Sequence, residues 1–152
     1  MTALAVDTFS FSNPSAMKHK ATLELSDIKT IAAAAEAHAL RNNWAVSISI
    51  VDDGGHLLYL QRLDGAAPIT SHIAPAKAKT AALGRRESKM YEDIINNGRT
   101  SFLSAPELEG MLEGGVPITI EGQVIGAVGV SGVKSSDDVA IAQAGINALT
   151  NA

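Results

Sequence analysis

The chain has 152 residues and a hydrophobic share of 46%, enough for one domain with a proper core. Its net charge of -4 argues against nucleic acid as a main partner, and the absence of cysteine excludes disulfides, thiolate metal sites and a cysteine nucleophile. No stretch approaches the roughly 20 apolar residues of a membrane span, and residues 1–20 lack the pattern of a signal peptide, so a cytoplasmic location is expected.

Residues 1–21 read as a flexible tail and residues 22–152 as a single domain, with Met1 and Met17 both eligible as the start. Ser26 is the expected cap of a first helix, with Ile28, Ile31, Ala32, Ala35 and Ala39 on one face and an end near Asn42-Asn43. A strand from Trp44 to Asp52 then alternates. Trp44, Val46, Ile48 and Ile50 form a bulky, core-forming face, and Ala45, Ser47, Ser49 and Val51 a small, partly polar one. The sequence DDGG at 52–55 predicts a hairpin turn in which Gly54 and Gly55 supply positive φ angles. Along the returning strand His56, Leu58, Leu60 and Arg62 share a face, while Leu57, Tyr59, Gln61 and Leu63 share the other.

Pro75 fits the first turn of a helix running to about Gly84. A further helix spans Ser88 to Asn96, stopped by Gly98, and an irregular stretch runs from Arg99 to Gly114. The segment GGVPITIEGQVIGAVGVSG predicts a second hairpin turning at Glu121-Gly122. Ser136 is the expected cap of the last helix, whose dipole Asp137 and Asp138 complement. Consecutive hairpins among helices predict an α+β layered domain with an antiparallel sheet.

Several residues could carry chemistry. Arg62 extends a mainly apolar row beside the DGA turn at 64–66, so it is either paired locally with Asp64 or held for an anionic ligand. Lys77 and Thr80 share a helix face with Ala81 and Gly84; a bulky ligand could rest there, or the lysine could snorkel and the threonine bond its own helix. His56 and His72 are candidate acid–base groups, and no histidine pair has zinc spacing. The run GAVGVSG at 126–132 lies inside a hairpin strand, so it does not read as a dinucleotide fingerprint, and Ser131 is not in a nucleophile elbow.

Taken in order, IVDDGGHLLYLQRLDGA, APAKAKTAA, GGVPITIEGQVIGAVGVSG and DDVAIAQAG closely resemble the GlcG/HbpS-like family of small haem-binding proteins. The same module is similar to the C-terminal domain of PduO-type proteins. The resemblance covers residues 22–151. It implies a profilin-like fold with a sheet of about five strands flanked by helices, a homo-oligomer, and a haem or related tetrapyrrole ligand. By the same resemblance Arg62, Asp64, Lys77, Thr80, Gly114, Gly115 and Ser131 are expected at a ligand site; no axial histidine follows from it, and His56 and His72 are candidate haem iron ligands only because they lie near Arg62 in the chain.

Three functions remain open on these residues. A haem-binding or redox-sensing protein would place its pocket between the small sheet face and the Lys77/Thr80 helix, with Arg62 or Lys77 pairing propionates. A cofactor-independent isomerase, tautomerase or lyase would clamp a small carboxylate at Arg62 and move a proton with Lys77, His72 or Asp52. A structural oligomerising module would use its glycines for packing alone.

Overall fold

The computed structural model describes residues 16–150, so the expectations for residues 1–15 lie outside the described residues. Helix α1 (Leu25–Arg41) buries Ile28, Ile31, Ala32, Ala35 and Ala39, the expected face. It starts earlier than the Ser26 cap would allow. Glu24 is the cap, and its amide donates to Asp27 Oδ2 at 2.9 Å in a reciprocal capping box.

Strands β1 (Ser47–Asp52) and β2 (Leu57–Arg62) form the first hairpin, and β3 (Gly115–Ile120) and β4 (Gln123–Ser131) the second. The sheet is antiparallel throughout, in the order β2-β1-β4-β3. The described residues therefore contain four strands where about five were expected. After α3 (Ser88–Asn96) the chain forms a short 3-10 turn (Thr100–Ser104). It then presses Gly110 against the backbone of the helix Thr70–Gly84, where a Cβ would overlap the Ala76 carbonyl carbon.

Turn chemistry explains both hairpins. At the first, only Gly55 is left-handed, with φ +77; Gly54 is not. The Asp52 carboxylate takes over part of the work expected of Gly54, accepting from the Gly54 and His56 amides at 2.9 Å each. At the second, Glu121 (φ 51) and Gly122 (φ 76) are both left-handed, as a two-residue turn between twisted strands requires.

Helices α1 and α4 (Ser135–Thr150) cover the bulky sheet face. There Ile31, Ile48, Ile50, Ile118, Val128, Val130 and Ile141 form a fully buried core. Each such side chain contributes about 1.5–3 kcal/mol on burial. Helix α2 (Thr70–Gly84) covers the small face with Ala78, Ala81 and Ala82 over Val51 and Ala127. It begins at Thr70, well before Pro75, which sits inside the helix. The Thr70 hydroxyl accounts for part of that early start, bonding the Ala67 carbonyl at 2.7 Å and the Ser47 hydroxyl at 2.8 Å.

The fit of α2 on the sheet is close. A Cβ at Gly129 would overlap the Ala74 carbonyl oxygen, and one at Gly115 would overlap the Lys77 carbonyl oxygen. Helix and strand backbones touch where a pocket was expected. The space between the small sheet face and the Lys77/Thr80 helix is closed, which leaves no room there for the bulky ligand expected on that helix face.

Candidate functional site

The expected site residues fall into two groups. Lys77, Thr80, Gly114, Gly115 and Ser131 lie in the α2–sheet seam, and all are buried. Lys77 is 4% exposed rather than snorkelling, and its ammonium donates to the Val130 carbonyl at 3.0 Å and to Asp138 Oδ2 at 3.1 Å. One lysine thereby ties α2, β4 and α4 together. Burial pushes the Asp138 carboxyl above its ordinary value; Lys77 and the Val133 amide oppose that shift only in part.

The rest of the seam is equally engaged. Gly114 leaves room for the lysine, since a Cβ there would come within 2.7 Å of both Lys77 Nζ and the Val130 carbonyl oxygen. Thr80 Oγ1 accepts from the Gly110 amide at 3.2 Å, not from its own helix, and Ser88 Oγ accepts from the Gly115 amide at 2.8 Å. Ser131 pairs in register with Ser47. Ser49, fully buried in the same layer, has a hydroxyl without a partner.

Arg62 and Asp64 form the second group. Both line an open groove of about 480 Å³ between the end of α1 and the end of β2, together with Glu36, Leu40, Trp44 and Gln61. No ion pair joins Arg62 to Asp64, and neither side chain has a hydrogen-bond or ion-pair partner among the described residues. The guanidinium is thus free for a ligand. Leu40 and Trp44 supply the apolar wall, and the Trp44 ring is braced from behind by His38, centroid to centroid 5.9 Å.

A hydrogen-bonded chain borders the groove. Tyr59 donates to Gln61 Oε1, and Gln61 Nε2 donates to Glu36 Oε1 at 3.5 Å. Burial and the Glu36 charge hold the Tyr59 hydroxyl above its usual range, so it remains a donor. Trp44, Glu36 and Gln61 were not anticipated as site residues. Trp44 carried a signal, because a lone tryptophan at a helix-to-strand junction in a chain with 4% aromatics is conspicuous.

The remaining candidates do not converge. Asp52 and His56 pair at the first hairpin turn, Nδ1 to Oδ1 at 3.0 Å, at the opposite end of β2 from Arg62. His72 is exposed in the first turns of α2. Arg62, Lys77, His72 and Asp52 therefore form no single constellation. Neither His56 nor His72 lines the Arg62 groove, and among the described residues no three His, Asp or Glu side chains are placed to hold a metal ion.

The groove can pair one anionic group with Arg62 and rest apolar surface on Trp44 and Leu40. Its size lies within the range of about 300–1,000 Å³ typical of ligand sites. Glu36 and Asp64 repel further negative charge, so a ligand with two acid groups would direct the second into solvent. These residues suit the acid group and apolar edge of a tetrapyrrole. They offer no histidine to its iron.

Comparisons with known proteins identify the family. The family described as "Haem degrading protein HbpS-like" matches residues 23–147. Protein GlcG of Escherichia coli K12 is 56% identical over 115 residues, covering 76% of this chain and 85% of that protein. The crystal structure of Klebsiella pneumoniae protein ORFY superposes with a TM-score of 0.81 at 29% identity, covering 89% of this chain and 96% of that one. The PduOC:haem complex superposes with a TM-score of 0.77, also at 29% identity, over 84% of this chain and 95% of that one. No helix among the described residues is long and apolar enough to cross a membrane.

Proposed function

We propose that this chain, which belongs to the HbpS-like family, binds haem or a related tetrapyrrole in the groove between α1 and β2, where Arg62 pairs an acid group of the ligand. The observation that carries the reading is the unpartnered Arg62 guanidinium in a groove walled by Trp44 and Leu40. The family description and the haem complex of a structural neighbour support the ligand class. The redox chemistry of such a ligand is that of its iron; the chain supplies charge pairing, apolar contact and partial shielding from water. We assign Arg62 and Asp64 to the ligand and Lys77, Thr80, Gly114, Gly115 and Ser131 to bracing the scaffold beneath it. The biological role that follows is haem handling or redox sensing in the cytoplasm.

Trp44 is the only tryptophan, which makes the groove readable. Added hemin should quench its fluorescence saturably. Arg62→Ala should raise the half-saturating concentration about tenfold, the worth of one charge-assisted hydrogen bond. Emission that stays unquenched through micromolar hemin would sink the reading.

A second reading uses the same groove. Arg62 shares an open groove of about 480 Å³ with two carboxylates, Glu36 and Asp64, a set that suits a small carboxylate clamped by the arginine while an acid group moves a proton. A cofactor-independent isomerase, tautomerase or lyase would need no more. Conversion of a carboxylate library that stops in Arg62→Ala would establish it, and full turnover by that variant would exclude it.

Oligomerisation is proposed through β2. This edge strand exposes Leu57, Leu58 and Leu60, and Ile69 is exposed just before α2. An unpaired sheet edge with an apolar row invites a second copy.

A further inference from the structure

We infer that a second cleft, at the opposite end of the sheet from Arg62, binds a small polyanion bearing phosphate or carboxylate groups. Its location follows from strand register. Asp52 pairs with Gly126, so both hairpin turns lie at the same end of the sheet. A Cβ at Gly55 would touch Lys79 and Leu83, so the last turns of α2 reach that end as well. The chain leading into α1 crosses the same end, where the Leu23 side chain lies against Gly126 and Lys20 pairs with Asp53. Between these elements opens a cleft of about 610 Å³, lined by Lys18, Lys20, Arg85, Thr119 and Gln123 among others.

The charge of this cleft is opposite to that of the molecule. The whole chain carries a net charge of -4, yet three cations and no carboxylate line the cleft. Only Lys20 is partnered; among the described residues Lys18 and Arg85 have no acidic partner. Arg85 is also positioned by its backbone, since it caps α2 in a left-handed conformation (φ 55) with its amide bonded to the Ala81 and Ala82 carbonyls. A single cation at a helix C-terminus is explained by the helix dipole. Two lysines from a separate segment are not, and Thr119 and Gln123 add neutral donors beside them. Clustered cations focus field on small anions, and arginine pairs phosphate or carboxylate oxygens bidentately.

The test is calorimetric titration of the full chain at low ionic strength with inorganic pyrophosphate and, separately, with citrate. Saturable binding is expected for at least one probe, and the responding probe identifies the phosphate or the carboxylate class. Arg85→Gln and Lys18→Gln should each weaken binding at least about fivefold, as loss of a charge-assisted contact does. Asp53→Asn should tighten it by releasing Lys20, a gain that a merely structural role for Lys20 would not produce. Arg62→Ala should leave it unchanged, which separates this cleft from the tetrapyrrole groove. Heats that fail to saturate with both probes would overturn the inference. So would an affinity that survives both cation substitutions, Lys18 lying outside any helix or strand and so removable without disturbing the fold.

Discussion

Lys77 and Asp138 show what one buried ion pair contributes to a small domain. Both side chains are almost completely enclosed, and the lysine also serves the Val130 carbonyl. Breaking a buried pair leaves an uncompensated charge, so Lys77→Met should destabilise the fold by about 3–5 kcal/mol in urea denaturation. Removing both charges is different: Lys77→Met with Asp138→Leu should recover most of that loss, because desolvation of the pair offsets its attraction. A double variant no more stable than the single one would contradict this. The sign of the pH effect follows from the raised Asp138 carboxyl. The folded state binds that proton more tightly than the unfolded state does. The group's contribution is therefore fully present below the ordinary value of 3.8 and is lost as pH rises through its raised folded value. The stability difference between the native chain and Asp138→Asn should accordingly shrink as pH rises through that window. A difference that grows with pH would reverse the assignment.

Among the elements, α2 decides where a ligand can and cannot sit. Its backbone rests on Gly115 and Gly129 with no room for a Cβ. Gly129→Ala should separate helix from strand, costing about 1–3 kcal/mol as overpacking does; an unchanged urea midpoint would show that the seam is loose. This seam also explains what the sequence could disclose. Alternation in β1 and β4, the turn glycines at 55 and 122, and the apolar face of α1 are local signals, and the corresponding elements formed, with β1 starting at Ser47 rather than Trp44 and α1 at Leu25 rather than after Ser26. The small face between Ser47 and Val51 was legible too, but small residues serve equally for leaving a pocket and for closing one. Only the approach of Ala74 to Gly129 distinguishes them. Helix α2 begins before Pro75 in part because Thr70 bonds Ser47, a partner 23 positions away that no local pattern contains. The lining of the candidate groove was half legible for the same reason. Arg62 and Asp64 announced themselves beside a turn, whereas Trp44 and Glu36 join them only after α1 packs over the end of β2.

On the scale of the whole molecule, the sheet separates three surfaces. One end carries the Arg62 groove, the other the Lys18/Arg85 cleft, and the β2 edge carries an apolar row between them. Association through that edge predicts that Leu58→Glu together with Leu60→Lys lowers the mass measured by light scattering while the far-ultraviolet spectrum stays unchanged; an unaltered mass would move the interface elsewhere. Arg62 is proposed as the anchor of a tetrapyrrole. Hemin titrated into the native chain and into Arg62→Ala, followed at the Soret band, tests it most directly. A saturable Soret shift is expected in the native chain, with about tenfold weaker binding in the variant. Indistinguishable titrations, or no saturable shift in the native chain, would contradict it.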